Sequence, residues 1–422
     1  MLKSFTKTEG TRHLAVLLAF VFLAFQMGQA QTLTIIHNFT QNGPDGYRPY
    51  AGVTIDPAGN LYGTSIGGGG TGYSGVLFKM TQVQGSWLFN PLYAFAGAHG
   101  TNPMGQVTRA SNGALYGTTF MGGSSGVWGT VYEVRPGTTA PVSAIAFWNE
   151  NVLHNFTGAP DGAFPYSQLV FDSQGNLYGT AYLGGANSDG MVFELTPSSG
   201  GWTESTLYSF TGLADGGSPW SGVVFDTAGN LYGTTMYDGN NNCGAVYKLS
   251  PNGSGWTETT LYTFPGDGSE GCGVQAGVIL DAAGNLYGAT ITGGAYGSGT
   301  VFELSPSNGS YTFNVIYAFP SGPHNQPYCA GNGFGPAASL VMDSAGNLYG
   351  TTIDDGEYGW GSVFELSPGE AGWAYTSLHD FTPGVDGENP CSSVAFDAQG
   401  NLYGTTSLGG ATGWGTVWQI TR

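Results

Sequence analysis

Gly222-Val-Val-Phe-Asp226, Gly229-Asn-Leu-Tyr-Gly-Thr-Thr235, Gly244-Ala-Val-Tyr-Lys-Leu249 and Trp256-Thr-Glu-Thr-Thr-Leu-Tyr-Thr-Phe264 follow one another along the chain. Each segment is short, rich in β-branched or aromatic residues, and bounded by Gly, Asp, Asn or Pro, which reads as strand and turn rather than helix. The same order recurs throughout. Its Leu-Tyr-Gly tyrosine stands at 62, 116, 178, 232, 287, 349 and 403, at spacings of 54, 62, 54, 55, 62 and 54. Four strands per unit and seven units predict an all-β, seven-bladed β-propeller with four-stranded blades, a linear solenoid being the alternative.

The chain ends separate the two. An aromatic residue stands eight positions before a Phe in six outer strands: Trp87/Phe95, Trp148/Phe156, Trp202/Phe210, Trp256/Phe264, Tyr311/Phe319 and Trp373/Phe381. The seventh outer strand comes before the first unit, as Thr32-Leu-Thr-Ile-Ile-His-Asn-Phe39, and the last unit stops after its third strand, Thr416-Val-Trp-Gln-Ile-Thr421. The N-terminal strand, residues 32–39, is therefore expected to complete the last blade, removing a sheet edge that would otherwise invite aggregation.

The first two strands of each unit are joined by Asp-x-x-Gly, with Asp at 56, 172, 226, 281, 343 and 397; the second unit has Ala110-Ser-Asn-Gly113 instead. Asp accepts hydrogen bonds at the start of a tight turn and Gly supplies the positive φ at its end. These acids read as turn formers, not catalytic carboxylates. Much of the glycine, 74 of 422 residues, belongs to the repeated turns, and the composition does not signal disorder: 41% of the residues are hydrophobic and 14% aromatic.

Residues 1–30 read as a secretory signal peptide. Lys3, Lys7 and Arg12 precede an apolar run from Leu14 to Phe25, and Gly28-Gln29-Ala30 supplies small residues for cleavage. The run is shorter than the ~20 residues a bilayer span needs. The mature chain, residues 31–422, is expected to be one exported, monomeric domain, periplasmic or extracellular, with no integral membrane span. It keeps six bases and 27 acids, a net charge of −21. Such a surface repels phosphate backbones, which argues against nucleic acid. Cys243, Cys272, Cys329 and Cys391 suit disulfides in an exported chain, and 243–272 with 329–391 are the preferred pairs, since those residues fall in loops of neighbouring units.

The Asp-x-x-Gly-Asn-Leu-Tyr-Gly-Thr core, followed by Gly184-Gly185 and Val192-Phe-Glu-Leu195 in the third unit, resembles the GloVer-type tandem repeat of exported bacterial proteins. More distantly it is similar to the blades of NHL and two-component-regulator propellers. The likeness spans residues 32–422 and implies the propeller fold and export, not a reaction. Members of the GloVer group commonly carry a C-terminal sorting or anchoring segment, whereas this sequence ends at Arg422 after the last blade. Anchoring through the C-terminus is therefore not expected.

Two sets of residues are candidates for a binding face, here called the top, which carries the connections between blades and the second-to-third strand loops. The first is a recurring acid or imidazole in the connections: Asp45, His99, Asp161, Asp215, Asp267, His324 and Asp386. Oxygen ligands of this kind suit Ca2+; the alternative is a set of turns that only prepare each inner strand. The second set is aromatic: Tyr50, Tyr166 and Trp220 just before the inner strands, and Trp128, Trp360 and Trp414 in the loops. Flat rings beside polar groups suit sugar faces, and packing between blades is the alternative. His37, His154 and His379 stand where Tyr93, Tyr208, Tyr262 and Tyr317 stand in other outer strands and read as structural substitutes. No Ser-His-Asp motif and no phosphate-binding loop occurs. The expected function is a non-catalytic module that binds an extracellular glycan or protein through the top loops. The alternative is a propeller enzyme, a lactonase or a polysaccharide lyase or hydrolase, using top-face acids and a divalent cation.

Overall fold

The computed structural model describes residues 31–70, 72–124, 126–137, 148–253, 255–321 and 334–422. The four segments of the quoted unit form one antiparallel sheet of Val224–Phe225, Leu231–Thr235, Ala245–Asn252 and Gly255–Thr263, in that spatial order. Six consecutive units repeat it. The seventh sheet is Ala395–Phe396, Leu402–Thr406 and Thr416–Thr421, completed by the N-terminal strand Thr32–Asn38. Thr32 pairs with Thr421 and Asn38 with Thr416, and Phe39 continues the ladder by donating its N–H to Gly415 O at 3.0 Å. The ring closes as expected, and the described residues contain only two short 3-10 turns as helix.

The innermost strands pair over only two residues each, shorter than the five-residue segments expected. The residues before each pair leave their own sheet and are held by the neighbouring blade. The first threonine of the Gly-Thr-Thr stretch makes that link: Thr118, Thr180, Thr234, Thr351 and Thr405 donate to Ser167 O, Ser221 O, Ala276 O, Ser392 O and Ala51 O at 2.8–3.1 Å. A threonine that looks like a strand former is thus a stitch between blades.

A second link repeats at the top. Arg48, Asn102, Phe164, Ser218, Gly273 and Asn389 hold positive φ between 52° and 72°. Each donates its N–H to the second-to-third loop of the preceding blade, at Trp414, Ser74, Trp128, Asp189, Cys243 and Trp360 O, at 2.7–3.1 Å. Each carbonyl then accepts from its own blade just past the second strand, as in Ile66 N–H to Arg48 O at 3.1 Å. Satisfying two backbone groups at once offsets a left-handed conformation that costs a non-glycine residue ~1–2 kcal/mol. Between blades four and five the Cys243–Cys272 disulfide reinforces this contact, as the sequence suggested. There the connection has Val274 where the other six have proline, at 49, 103, 165, 219, 336 and 390. The 329–391 pairing involves Cys329, which lies outside the described residues.

The core sits between blades. Tyr178, Val192 and Phe210 of one blade, for example, pack with Val223, Leu231, Tyr247 and Leu249 of the next. One ring position is filled by Phe78, Tyr132, Phe193, Tyr247, Phe302, Phe364 and Trp418, all fully buried. The hydroxyls of Tyr132 and Tyr247 are buried with no hydrogen bond, a state that costs ~1–3 kcal/mol. Tyr132→Phe and Tyr247→Phe are therefore each expected to raise stability by roughly 1 kcal/mol. A lower thermal midpoint in either variant would show that the hydroxyl has a partner.

Candidate functional site

The Asp-x-x-Gly acids are fully occupied in their turns, as their spacing indicated. Asp226 Oδ1 accepts from the N–H groups of Ala228 and Asn230, and Oδ2 accepts from Asn230 Nδ2 and the Tyr232 hydroxyl at 3.1 Å. Burial alone would raise its pKa; the bonds from Asn230 and Tyr232 outweigh that and hold the carboxyl below its ordinary value. Asp56, Asp172, Asp281, Asp343 and Asp397 repeat the arrangement. Unit two, which lacks the acid, turns its Tyr116 hydroxyl to Glu133 instead.

The top-face acids are also engaged, by donors on the preceding outer strand. Asp45 accepts from His37 Nε2 at 3.1 Å, from Thr40 N–H at 3.1 Å and from Thr40 Oγ1 at 2.7 Å. Asp161 takes His154 Nε2 at 3.2 Å and Thr157 N–H at 2.9 Å; Asp386 takes His379 Nε2 at 2.8 Å and Thr382 N–H at 2.7 Å. Asp215 accepts from the Tyr208 hydroxyl at 2.9 Å and from Thr211 N–H at 2.9 Å. The outer-strand His or Tyr and the connection Asp are thus two halves of one motif. Burial pushes the Asp45 and Asp161 carboxyls up, but the bonds from His37 and His154 and their other donors prevail and hold both below the usual range.

Asp267 departs from the set: it is exposed, accepts from Ser269, and leaves the outer-strand Tyr262 to Glu270. His99 is held by Glu150 at 2.7 Å, and His324 lies outside the described residues. Among the described residues no three His, Cys, Asp or Glu side chains converge as a cation site needs. Four of the described members, Asp45, Asp161, Asp215 and Asp386, are tied to the outer strand that precedes them.

The aromatic set divides. Trp128 packs 5.5 Å from Phe164, Trp414 lies 5.3 Å from Tyr47, and Trp360 packs against the cluster of Phe381 and Trp418. These three join neighbouring blades. Tyr50, Tyr166 and Trp220 instead reach the central channel. With Met104, Gln275, Ala337 and Cys391 they form a ring of one side chain per blade around a pocket of about 70 Å³ at the top end. Tyr166 and Trp220 stack at 4.0 Å with an interplanar angle of 21°, and both are half-buried. Burial pushes the Tyr50 phenol above its ordinary pKa, and the Arg48 charge offsets part of that. Sequence reading found the three aromatics but not the ring; its signal is the residue directly after each connection proline, or after the residue in its place.

Below the ring the channel encloses about 520 Å³ and is walled by the short inner segments. Its polar lining includes Gln106, Gln168, Ser221, Ser339 and Ser393. Gln106 Nε2 donates to Val53 O at 3.0 Å and its Oε1 accepts from Ser393 Oγ at 2.9 Å, which fixes polar groups from blades one, two and seven together. Ser339 Oγ accepts from Gly277 N–H at 3.0 Å. A volume of this order with aromatic walls at one end and a few fixed amide and hydroxyl groups suits a small polar ligand.

The model of the Gloeobacter/Verrucomicrobia repeat matches residues 22–203, 146–331 and 324–422. No curated protein is significantly similar in sequence. Among solved structures, the extracellular domain of the one-component system BT4673 from B. thetaiotaomicron is similar with a TM-score of 0.54 at 12% identity, over 92% of this chain and 40% of that one. PorZ, a bacterial surface component of the type-IX secretion system of Porphyromonas gingivalis, gives 0.53 at 15% identity, over 91% and 48%. The chain spans less than half the length of either, and at these identities the likeness concerns the fold.

Proposed function

The chain belongs to the Gloeobacter/Verrucomicrobia repeat family, and we propose that this member is an exported propeller that binds an extracellular glycan at the top of its central channel. The observation that carries this reading is the ring of Tyr50, Tyr166 and Trp220 above a polar-lined channel of about 520 Å³. Aromatic faces supply contact area to the apolar side of a sugar ring, and fixed amides and hydroxyls orient its hydroxyl groups. Export is supported by the N-terminal sequence pattern and by the Cys243–Cys272 disulfide, which an oxidising compartment maintains. Among the described residues no helix is long and apolar enough to cross a membrane.

The enzymatic alternative needs top-face carboxylates free to act. Asp45, Asp161, Asp215 and Asp386 are each held by outer-strand and threonine donors, so they lend it no support. The binding reading is tested on the chain from residue 31 with a panel of soluble oligosaccharides, scored for affinity and for turnover. Trp220→Ala and Tyr166→Ala are each expected to weaken binding about tenfold, the upper part of what one ring contact contributes. Binding that ignores both substitutions, or turnover of any panel member, overturns the reading.

A further inference from the structure

The six lysines and arginines after residue 30 are not equivalent. Five sit on the tyrosines of the Leu-Tyr-Gly turns or on acids beside them. Lys79 and Lys248 lie 5.6 Å from the ring centres of Tyr62 and Tyr232. Arg422 covers Tyr349 at 4.8 Å and reaches Glu365 at 2.8 Å. Arg135 pairs with Glu133 at 2.6 Å, and the Arg109 charge acts on Tyr62. Arg48 alone stands on a top connection, in a protein whose remaining charge is overwhelmingly negative.

Its position is fixed. The Arg48 N–H donates to Trp414 O at 2.9 Å, its carbonyl accepts from Ile66 N–H at 3.1 Å, and φ is 55°. The backbone is thus clamped between blades seven and one. Among the described residues no carboxylate forms an ion pair with Arg48, and its Nε is buried with no hydrogen bond. Asp45, three residues before it, is turned to His37 and Thr40. Tyr50, two residues after it, is a member of the channel-mouth ring and feels the Arg48 charge. The equivalent positions of the other six blades carry Asn102, Phe164, Ser218, Gly273, Gly335 and Asn389, none of them basic. A guanidinium with unspent donors, on a backbone clamped two residues before a member of the aromatic mouth, matches a planar oxyanion in two-point contact.

We propose that Arg48 recognises an anionic group on the bound saccharide, and that the ligand is a uronate-containing glycan whose carboxylate meets this guanidinium while its sugar faces meet Tyr50, Tyr166 and Trp220. The inference rests on the glycan-binding reading above. The net negative field opposes the approach of any anion, which makes the local contact rather than steering the source of selectivity.

Calorimetric titration at about 0.15 M NaCl separates the possibilities, since long-range repulsion is then largely screened. The probes are trigalacturonate, a neutral galactose trisaccharide and a sulfated galactose trisaccharide. Trigalacturonate is expected to bind roughly tenfold or more tighter than the neutral sugar. Arg48→Asn, which installs the residue found at the same position in blades two and seven and so preserves the left-handed turn, is expected to erase that preference while neutral binding survives. Lys248→Gln should change neither. Equal affinity for charged and neutral sugars, or a preference that survives Arg48→Asn, overturns the assignment and leaves glycan binding standing. An Arg48-dependent preference for the sulfated probe overturns the carboxylate assignment. No binding of any probe overturns both readings.

Discussion

Deleting residues 32–39 is expected to abolish the cooperative melt of the propeller or to lower its midpoint by well over ten degrees. The segment supplies the fourth strand of the seventh blade, pairing from Thr32 with Thr421 to Asn38 with Thr416. It also inserts Phe39, fully buried, into the cluster of Val53, Leu61, Phe78 and Val417 that joins blade seven to blade one. Loss of one buried Phe side chain alone costs ~3–5 kcal/mol. The deletion further exposes the edge of Thr416–Thr421 and removes the half-buried Leu33, Ile35 and Ile36. Against a typical total stability of ~5–15 kcal/mol, that is enough to open the ring. Calorimetry and circular dichroism of the chain begun at residue 31 and at residue 40 make the comparison. An unchanged melt would show that the ring holds without its closing strand.

Gly129→Ala is expected to destabilise the protein by roughly 2–6 kcal/mol, combining a left-handed backbone with overpacking. Gly129 has φ of 89°, and a Cβ there would lie 2.3 Å from Thr119 O and 2.8 Å from Pro165 Cδ of the next blade. The equivalent Gly75, Gly190, Gly361 and Gly415 meet Pro103, Pro219, Pro390 and Pro49 in the same way, at 2.3–2.7 Å. Gly175 is the control: its φ is 90°, but nothing lies within 4 Å of the added carbon. Gly175→Ala should therefore cost only the backbone preference, ~1–2 kcal/mol. Denaturant unfolding of the two variants reads the difference, and equal losses would show that the proline contact contributes nothing.

The contrast between those glycines also shows what the sequence made legible. Both recur in every unit, and recurrence places them in turns. Only the structure separates a glycine kept for its φ from one kept because a proline from the neighbouring blade leaves no room. The same holds for Gly-Thr-Thr, whose first threonine reads as a strand former and acts as a bond between blades. The left-handed clamp shows in the sequence only through the proline that follows each of Arg48, Asn102, Phe164, Ser218 and Asn389. These residues share a conformation but no side-chain chemistry, because two backbone hydrogen bonds to different blades impose it.

The candidate site was legible by halves. The acids Asp45, Asp161, Asp215 and Asp386 and the outer-strand His37, His154, Tyr208 and His379 were visible as two separate patterns, seven or eight residues apart. Whether such an acid faces a ligand or its own blade depends on the curl of the connection, which places its carboxylate within 2.8–3.2 Å of those rings. Periodicity along one chain therefore determined the number of blades, the strands within each and the closing of the ring, because hydrophobic alternation and turn chemistry are local properties. Tertiary structure decided which acids were already satisfied and which aromatics met at the channel, and it set Arg48 apart from the other bases. Those are relations between residues of different blades, fixed by the angle at which one sheet packs on the next.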